Sequence, residues 1–213
     1  SIIITLWILQ TYFVDCIYTF GYLGINSPEK QCGKSLILKL LRAFVKNGYQ
    51  TTHISAPTLY RFIGEYRVTL IIDEFDSIKS DKDMANALNA GYERGNSALK
   101  TNMDKGGVIE KYDPFCAKVL CGINLTDKIP DSTISRTIII NLKRKYANET
   151  KSRFRSSANL NPEHPEYKYL EEIRCKLLKI AEDNKDGFKK IVDNFDDNYC
   201  DDFFKDFKGV SDR

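Results

Sequence analysis

Between Phe20 and Gly48 the sequence passes from a short apolar, β-prone run, FGYLGIN, through a polar loop, SPEKQCGKS, into the helical pattern KSLILKLLRAFVKNG. Strand, loop and helix in that order constrain the fold most, because they predict a parallel sheet wrapped by helices with a loop at the carboxyl edge of its strands. The helix is expected over 34–47. Leu36, Ile37, Leu40, Leu41 and Phe44 form its buried stripe, and Gly48 closes it as the residue after the cap. The free N–H groups of its first turn, around Lys34 and Ser35, would face an anion.

The loop is compared with G-x-x-x-x-G-K-[ST], in which backbone N–H groups turn inward around phosphate oxygens. Gly33, Lys34 and Ser35 match, and Pro28 stands where the first glycine belongs. Gly33 lets the backbone approach the phosphates, Lys34 brings a positive charge to the β- and γ-phosphates, and the Ser35 hydroxyl can ligate Mg²⁺. Ser27, Pro28, Glu29, Lys30, Gln31, Cys32, Gly33, Lys34 and Ser35 are the expected cradle. Pro28 removes one N–H and fixes φ, a departure that the context has to tolerate.

That context includes VTLIIDEFD, from Val68 to Asp76, an apolar run that ends in acids. Open α/β sheets place ligands at the carboxyl ends of their strands, where Asp73 would join a Mg²⁺ shell and Glu74 would polarise an attacking water. Alone, an Asp-Glu pair reads as a helix cap. About 40 residues downstream of Gly-Lys-Ser it reads as the partner of a phosphate cradle, with ATP and Mg²⁺ as the expected ligands.

A chain of 213 residues, 42% apolar and 29% charged, can bury one sizeable core. Six cysteines without C-x-x-C spacing and only two histidines indicate neither a zinc site nor a disulfide framework, so a reducing, cytoplasmic setting is expected. The apolar start SIIITLWILQTYFVDCIY lacks a basic n-region and is interrupted by Gln10 and Asp15, so it is expected to be a core-packing helix over 1–20 carrying Trp7 rather than a membrane span. No initiator methionine is present, as expected of a piece of a longer protein.

Residues 21–145 alternate strand and helix, with segments expected at 22–26, 34–47, 50–55, 57–65, 67–73, 82–94, 116–123 and 136–142. A polar, proline-punctuated linker over 146–166 and a small C-terminal helical segment over 167–213 follow. NSALKTNMDKGGVIEKYD alternates around Asp104-Lys105-Gly106-Gly107, the pattern of a β-hairpin inserted at about 97–113. With Lys100 and Lys111 on its arms and Lys105 at its tip it is a candidate grip for single-stranded DNA; the plainer alternative is a surface ribbon. Asn124 ends the strand CAKVLCGIN, where it can contact a γ-phosphate or its water, or simply start a turn. Arg136 precedes the strand TIIINL, where it can serve a neighbouring subunit's γ-phosphate or be an edge cation. From Arg136 to Arg155 seven Lys/Arg face Glu149 alone, a net +6, whereas ten acids against six bases give −4 from Glu182 to Arg213. A basic face for a polyanion is one reading of this asymmetry and a solvated loop the other.

SPEKQCGKS, APTLYRFIGEYRVTLIIDEFD, LNAGYERG, CGIN, ISRTIIINLKRK and the final GVSDR resemble a family of P-loop ATPase domains in phage, plasmid and bacterial primase-helicase-like proteins. The resemblance implies an additional-strand, helicase-like ATPase beside a primase-type module, with Lys34, Ser35, Asp73 and Glu74 as its Walker residues. Relatives of that kind continue past the position of Arg213, so the C-terminal segment is expected to be truncated. The expected fold is therefore α/β: a three-layer P-loop NTPase with a mainly parallel central sheet, a hairpin before the sensor strand and a small C-terminal helical segment. The expected activity is Mg²⁺-dependent ATP hydrolysis in DNA replication of a mobile element, in a possible homo-oligomeric ring. The alternatives are a nucleotide-dependent regulatory or assembly ATPase and, third, a P-loop small-molecule kinase.

Overall fold

A strand inside a parallel sheet is covered on both faces and has to be apolar at nearly every position; TLII and KVLCGI meet that condition, and both are buried almost throughout. A computed structural model gives the fold and describes residues 1–77, 82–102, 106–144 and 165–198. In chain order the elements are α1 (Ile2–Thr11), β1 (Tyr22–Ser27), α2 (Lys34–Phe44), β2 (Gly48–Thr51), α3 (Ala56–Tyr66), β3 (Thr69–Ile72), α4 (Lys82–Ala90), β4 (Ala98–Asn102), β5 (Val108–Tyr112), β6 (Lys118–Ile123), α5 (Asp131–Ile134), β7 (Thr137–Asn141) and α6 (Pro165–Asn198). Five strands form one sheet in the order β2-β3-β6-β1-β7, every neighbouring pair parallel. β4 and β5 form a separate antiparallel hairpin ahead of β6, with Leu99 opposite Lys111 and Lys100 opposite Glu110.

Side chains along a strand point alternately to the two faces, and the core divides accordingly. Tyr22, Leu70, Ile72 and Leu120 meet α3 and α4 through Leu59, Ile63 and Leu88. Leu23, Ile25, Ile71, Val119 and Cys121 meet α1 and α2 through Trp7, Leu38 and Leu41. Trp7 is 2% exposed, packs edge-on against Phe20 and donates its indole N–H to the Gly21 carbonyl at 2.8 Å. Full burial of such a side chain contributes about 2–3 kcal/mol. The result is an α/β molecule in three layers, with the hairpin and the C-terminal helix added. Among the described residues no helix is long and apolar enough to cross a membrane.

Several boundaries differ from expectation. The N-terminal helix stops at Thr11, and a short 3₁₀ turn, Val14–Cys16, carries the chain on. α2 stops at Phe44, not at 47, and Gly48 does not cap it. Val45 is already extended, Asn47 takes the left-handed φ of 50°, and Gly48 begins β2. The turn is so tight that a Cβ on Gly48 would lie 2.7 Å from Val45 Cγ2 and 2.9 Å from the Arg42 carbonyl oxygen. On α2 Leu38 is buried and Leu36 is 38% exposed, so the stripe is rotated from the expected one. α4 ends at Ala90, short of 94, because the chain beyond it is pinned from below. The fully buried Lys118 ammonium donates to the carbonyls of Pro114 at 2.8 Å and of Gly91 and Cys116 at 3.3 Å, and it lies 5.1 Å from the Tyr22 ring centre. Arg94 reaches the Val14 and Ile17 carbonyls and stacks on Phe115, which fastens LNAGYERG to the N-terminal segment.

Candidate functional site

β1 ends at Ser27, which is 1% exposed and whose hydroxyl donates to the Glu29 carbonyl, folding the next residues back over the strand end. Gln31 at φ 67° and Gly33 at φ 85° are both left-handed, and between them the Cys32 side chain is sunk to 8% exposure. Two left-handed residues around one anchored side chain make a tight concave loop, and only Gly33 adopts that conformation without strain. Gly33 caps α2 and accepts the Leu36 and Ile37 N–H groups at 3.1 and 3.2 Å, while the N–H groups of Lys34 and Ser35 have no intrahelical acceptor. A Cβ on Gly33 would meet nothing within 4 Å, so open space lies beside the backbone.

Across this opening β3 delivers Asp73, whose N–H is held by the Thr51 carbonyl at 2.8 Å. Asp73 Oδ1 accepts the Glu74 N–H at 2.9 Å and lies 3.3 Å from Lys34 Nζ. Burial disfavours the Lys34 ammonium, but the Asp73 carboxylate, with Asp76 further off, outweighs it and holds its pKa above the ordinary lysine value. Cys121 below them is pushed up to about 12, by burial first and Asp73 second, and is a neutral thiol. Glu74 is exposed, with φ 53°. Ser27, Glu29, Lys30, Gln31, Gly33, Lys34, Ser35 and Glu74 line one cavity of about 450 Å³. Pro28 and Cys32 belong to the loop without lining that cavity.

Three contributors carry weaker sequence signals. Asp76 Oδ1 is buried without a hydrogen-bond partner, pressed so close to β6 that a Cβ on Gly122 would lie 2.6 Å from it. Asn26 accepts the Leu125 N–H at 2.8 Å and donates to Asn141 at 2.8 Å, while the Ser27 carbonyl accepts the Asn124 N–H at 3.0 Å. Asn124, exposed and left-handed at φ 48°, is thereby stitched to the end of β1, at the same sheet edge as Lys34 and Asp73. The signals available in the sequence were the polar residues closing GIN and DEFD.

Other expected site residues are not brought to this cluster. Arg136 precedes β7 at the opposite edge of the sheet, where its guanidinium bonds Asn89 Oδ1 and lies 5.3 Å from the Tyr92 ring centre. Lys111 is exposed on the hairpin, the backbone of Lys100 lies in β4, and Lys105 falls outside the described residues, as does the basic stretch beyond Arg144.

The cradle fits a phosphate group: free N–H groups at a helix start, open space beside Gly33 and an ammonium at its mouth. Among the described residues no three His, Cys, Asp or Glu side chains converge on a metal site. Mg²⁺ does not require one, since it takes one or two protein oxygens and completes its shell with water and phosphate. Ser35, which lines the cavity, and Asp73, at the end of β3, suit that mode.

No protein-family model and no curated protein matches the chain. Among solved structures the chain is similar to JCV helicase, at 10% identity and TM-score 0.38, over 88% of this chain and 60% of that one. The same helicase with N-(4-(2-(thiazolo[5,4-c]pyridin-2-yl)phenoxy)phenyl)acetamide bound gives 10% identity and TM-score 0.41 over 89% of this chain and 60% of that one. NtrX from Brucella abortus in complex with ATP gives 11% identity and TM-score 0.35 over 62% and 36%. The chain thus spans less than two thirds of the length of each of them.

Proposed function

We propose that the chain is a P-loop ATPase that hydrolyses ATP with Mg²⁺. One observation carries this reading: Lys34 Nζ and Asp73 Oδ1 lie 3.3 Å apart, at a glycine-capped helix start on the carboxyl edge of a parallel sheet. The loop N–H groups and Lys34 bind the triphosphate, and Lys34 stabilises charge that develops on the transferred phosphoryl group. Ser35 and Asp73 would hold the Mg²⁺, which offsets charge on the phosphate oxygens when bound. Glu74 orients a water for in-line attack and takes its proton, and Asn124 contacts the γ-phosphate side of the reaction. Lys34 has to leave Asp73 to reach a phosphate, so the pair is a resting arrangement of the site.

The finer proposal is the motor or switch module of a mobile-element replication protein, working on single-stranded DNA as a homo-oligomeric ring beside a primase-type module. The motif resemblance and the hairpin support it. A regulatory ATPase without DNA motor activity is the second reading, favoured because Arg136 is engaged within its own subunit by Asn89 and Tyr92. ATP hydrolysis by the intact chain, measured with and without single-stranded DNA and repeated with Lys34→Ala, tests both. Loss of ATP binding in the variant is expected; equal affinity sinks the cradle. DNA stimulation selects the motor, and ATP turnover indifferent to DNA selects the regulator.

A further inference from the structure

The far end of α2 opens onto a second cavity of about 570 Å³, between that helix, the turn into β2, and α6. Lys39, Arg42, Lys46 and Arg174 line it together with Tyr12 and Gln50, and no Asp or Glu does. Cations near a helix C-terminus have an ordinary explanation, since they offset its exposed carbonyls. Arg174 fits that explanation: its Nε donates to the Ala43 carbonyl and its other arm pairs with Glu171. Lys46 is neutralised by Asp15 at 3.1 Å. Lys39 and Arg42 do not fit it as fully, because both are exposed and, among the described residues, neither makes an ion pair.

The cavity therefore holds two uncompensated positive charges on one wall. Tyr12 also lines it, 7% exposed, its hydroxyl donating to the Phe44 carbonyl at 2.8 Å. Burial, opposed by Arg174, pushes the Tyr12 pKa up to about 12, so the phenol stays neutral and adds no negative charge. Two charges match a phosphate dianion, an arginine fork suits its oxygens, and the volume lies within the range of small-ligand sites.

We propose that this cavity binds a phosphate-bearing organic anion, with Arg42 and Lys39 as its contacts and Arg174 behind them. At 1.5 Å per residue of α2, Lys39 and Arg42 lie about 8 and 12 Å along the helix from Lys34, and the two cavities share no lining residue, so it is a separate site. The ligand is either a free nucleotide or the phosphodiester of a single strand.

The test is calorimetric titration of the Lys34→Ala chain with inorganic pyrophosphate, which removes the first cradle and separates this proposal from the ATPase reading. Saturable binding is expected, weakened about tenfold or more by adding Lys39→Glu and Arg42→Glu, as for loss of charge-assisted hydrogen bonds. Both side chains are exposed, so an unchanged thermal melt is expected to show that the fold is kept; the milder Lys39→Gln with Arg42→Gln serves if it is not. ADP displacing pyrophosphate identifies the nucleotide, and an oligothymidylate displacing it identifies the phosphodiester. No saturable pyrophosphate binding, equal binding after charge reversal, or displacement by neither competitor overturns the proposal.

Discussion

Glu74 is a non-glycine residue at φ 53°, a conformation that costs of order 1 kcal/mol and persists only where surrounding contacts impose it. Glutamine bears the same strain, so Glu74→Gln separates chemistry from shape. Nucleotide affinity should stay near wild type while turnover falls about 10²–10⁴-fold, read by phosphate release and nucleotide titration. Turnover within about tenfold of wild type would give the water to another residue. Asp76 presents the opposite trade. A buried carboxylate oxygen without a partner is a stability cost, so Asp76→Ala should raise the unfolding free energy by about 1 kcal/mol, read as a higher urea midpoint, while lowering ATP turnover through the lost charge acting on Lys34. A gain in stability with full activity would make Asp76 a bystander. The placement of Gly33, Lys34, Ser35 and Asp73 was legible in the sequence because it follows from the ends of a strand and a helix. Asp76, Gly122 and Asn26 were not, because their roles arise between neighbouring strands. A single sequence does not show that Asp76 will press on β6 or that Asn26 will hold the peptide after Asn124.

At the scale of elements, the strands β1, β3 and β6 could be read from their apolar runs, and α3 from Ser55 ahead of a proline-containing first turn; its hydroxyl accepts the Thr58 N–H. Helix ends could not be read where tertiary contacts set them. α4 ends where Gly91 meets the Lys118 ammonium and the Pro114 carbonyl, and a Cβ on Gly91 would lie 2.5 Å from each. The backbone oxygen cannot move as a flexible side chain would, so Gly91→Ala should cost about 1–3 kcal/mol by urea unfolding. An unchanged midpoint would show that the clamp yields freely. Because Lys118 ties Gly91, ahead of the hairpin, to Pro114, just after it, the same variant should also speed proteolysis between 98 and 112.

At the scale of the whole molecule, Arg136 and Lys34 lie at opposite edges of one sheet, so any joint action needs a second copy of the chain. Arg136→Ala should cost about 1–2 kcal/mol through the lost Asn89 bond and Tyr92 stacking. If it also serves a neighbour, mixing Arg136→Ala with Lys34→Ala subunits should restore hydrolysis that neither shows alone. No recovery would leave Arg136 a structural cation. The other long-range tie joins the first turns of the chain to α6: Phe13 stacks on Phe188 with ring centres 4.4 Å apart, and the Tyr18 hydroxyl bonds Asp193 at 3.3 Å. During synthesis the partner of Phe13 does not yet exist when Phe13 leaves the ribosome. At about 5–20 residues per second the wait lasts roughly 10–35 s, during which an aromatic surface stays uncovered and open to a chaperone or a protease. Ribosome-bound chains stalled before Phe188 has emerged should be cut near Phe13 by a brief protease pulse, and released full-length chains should be spared.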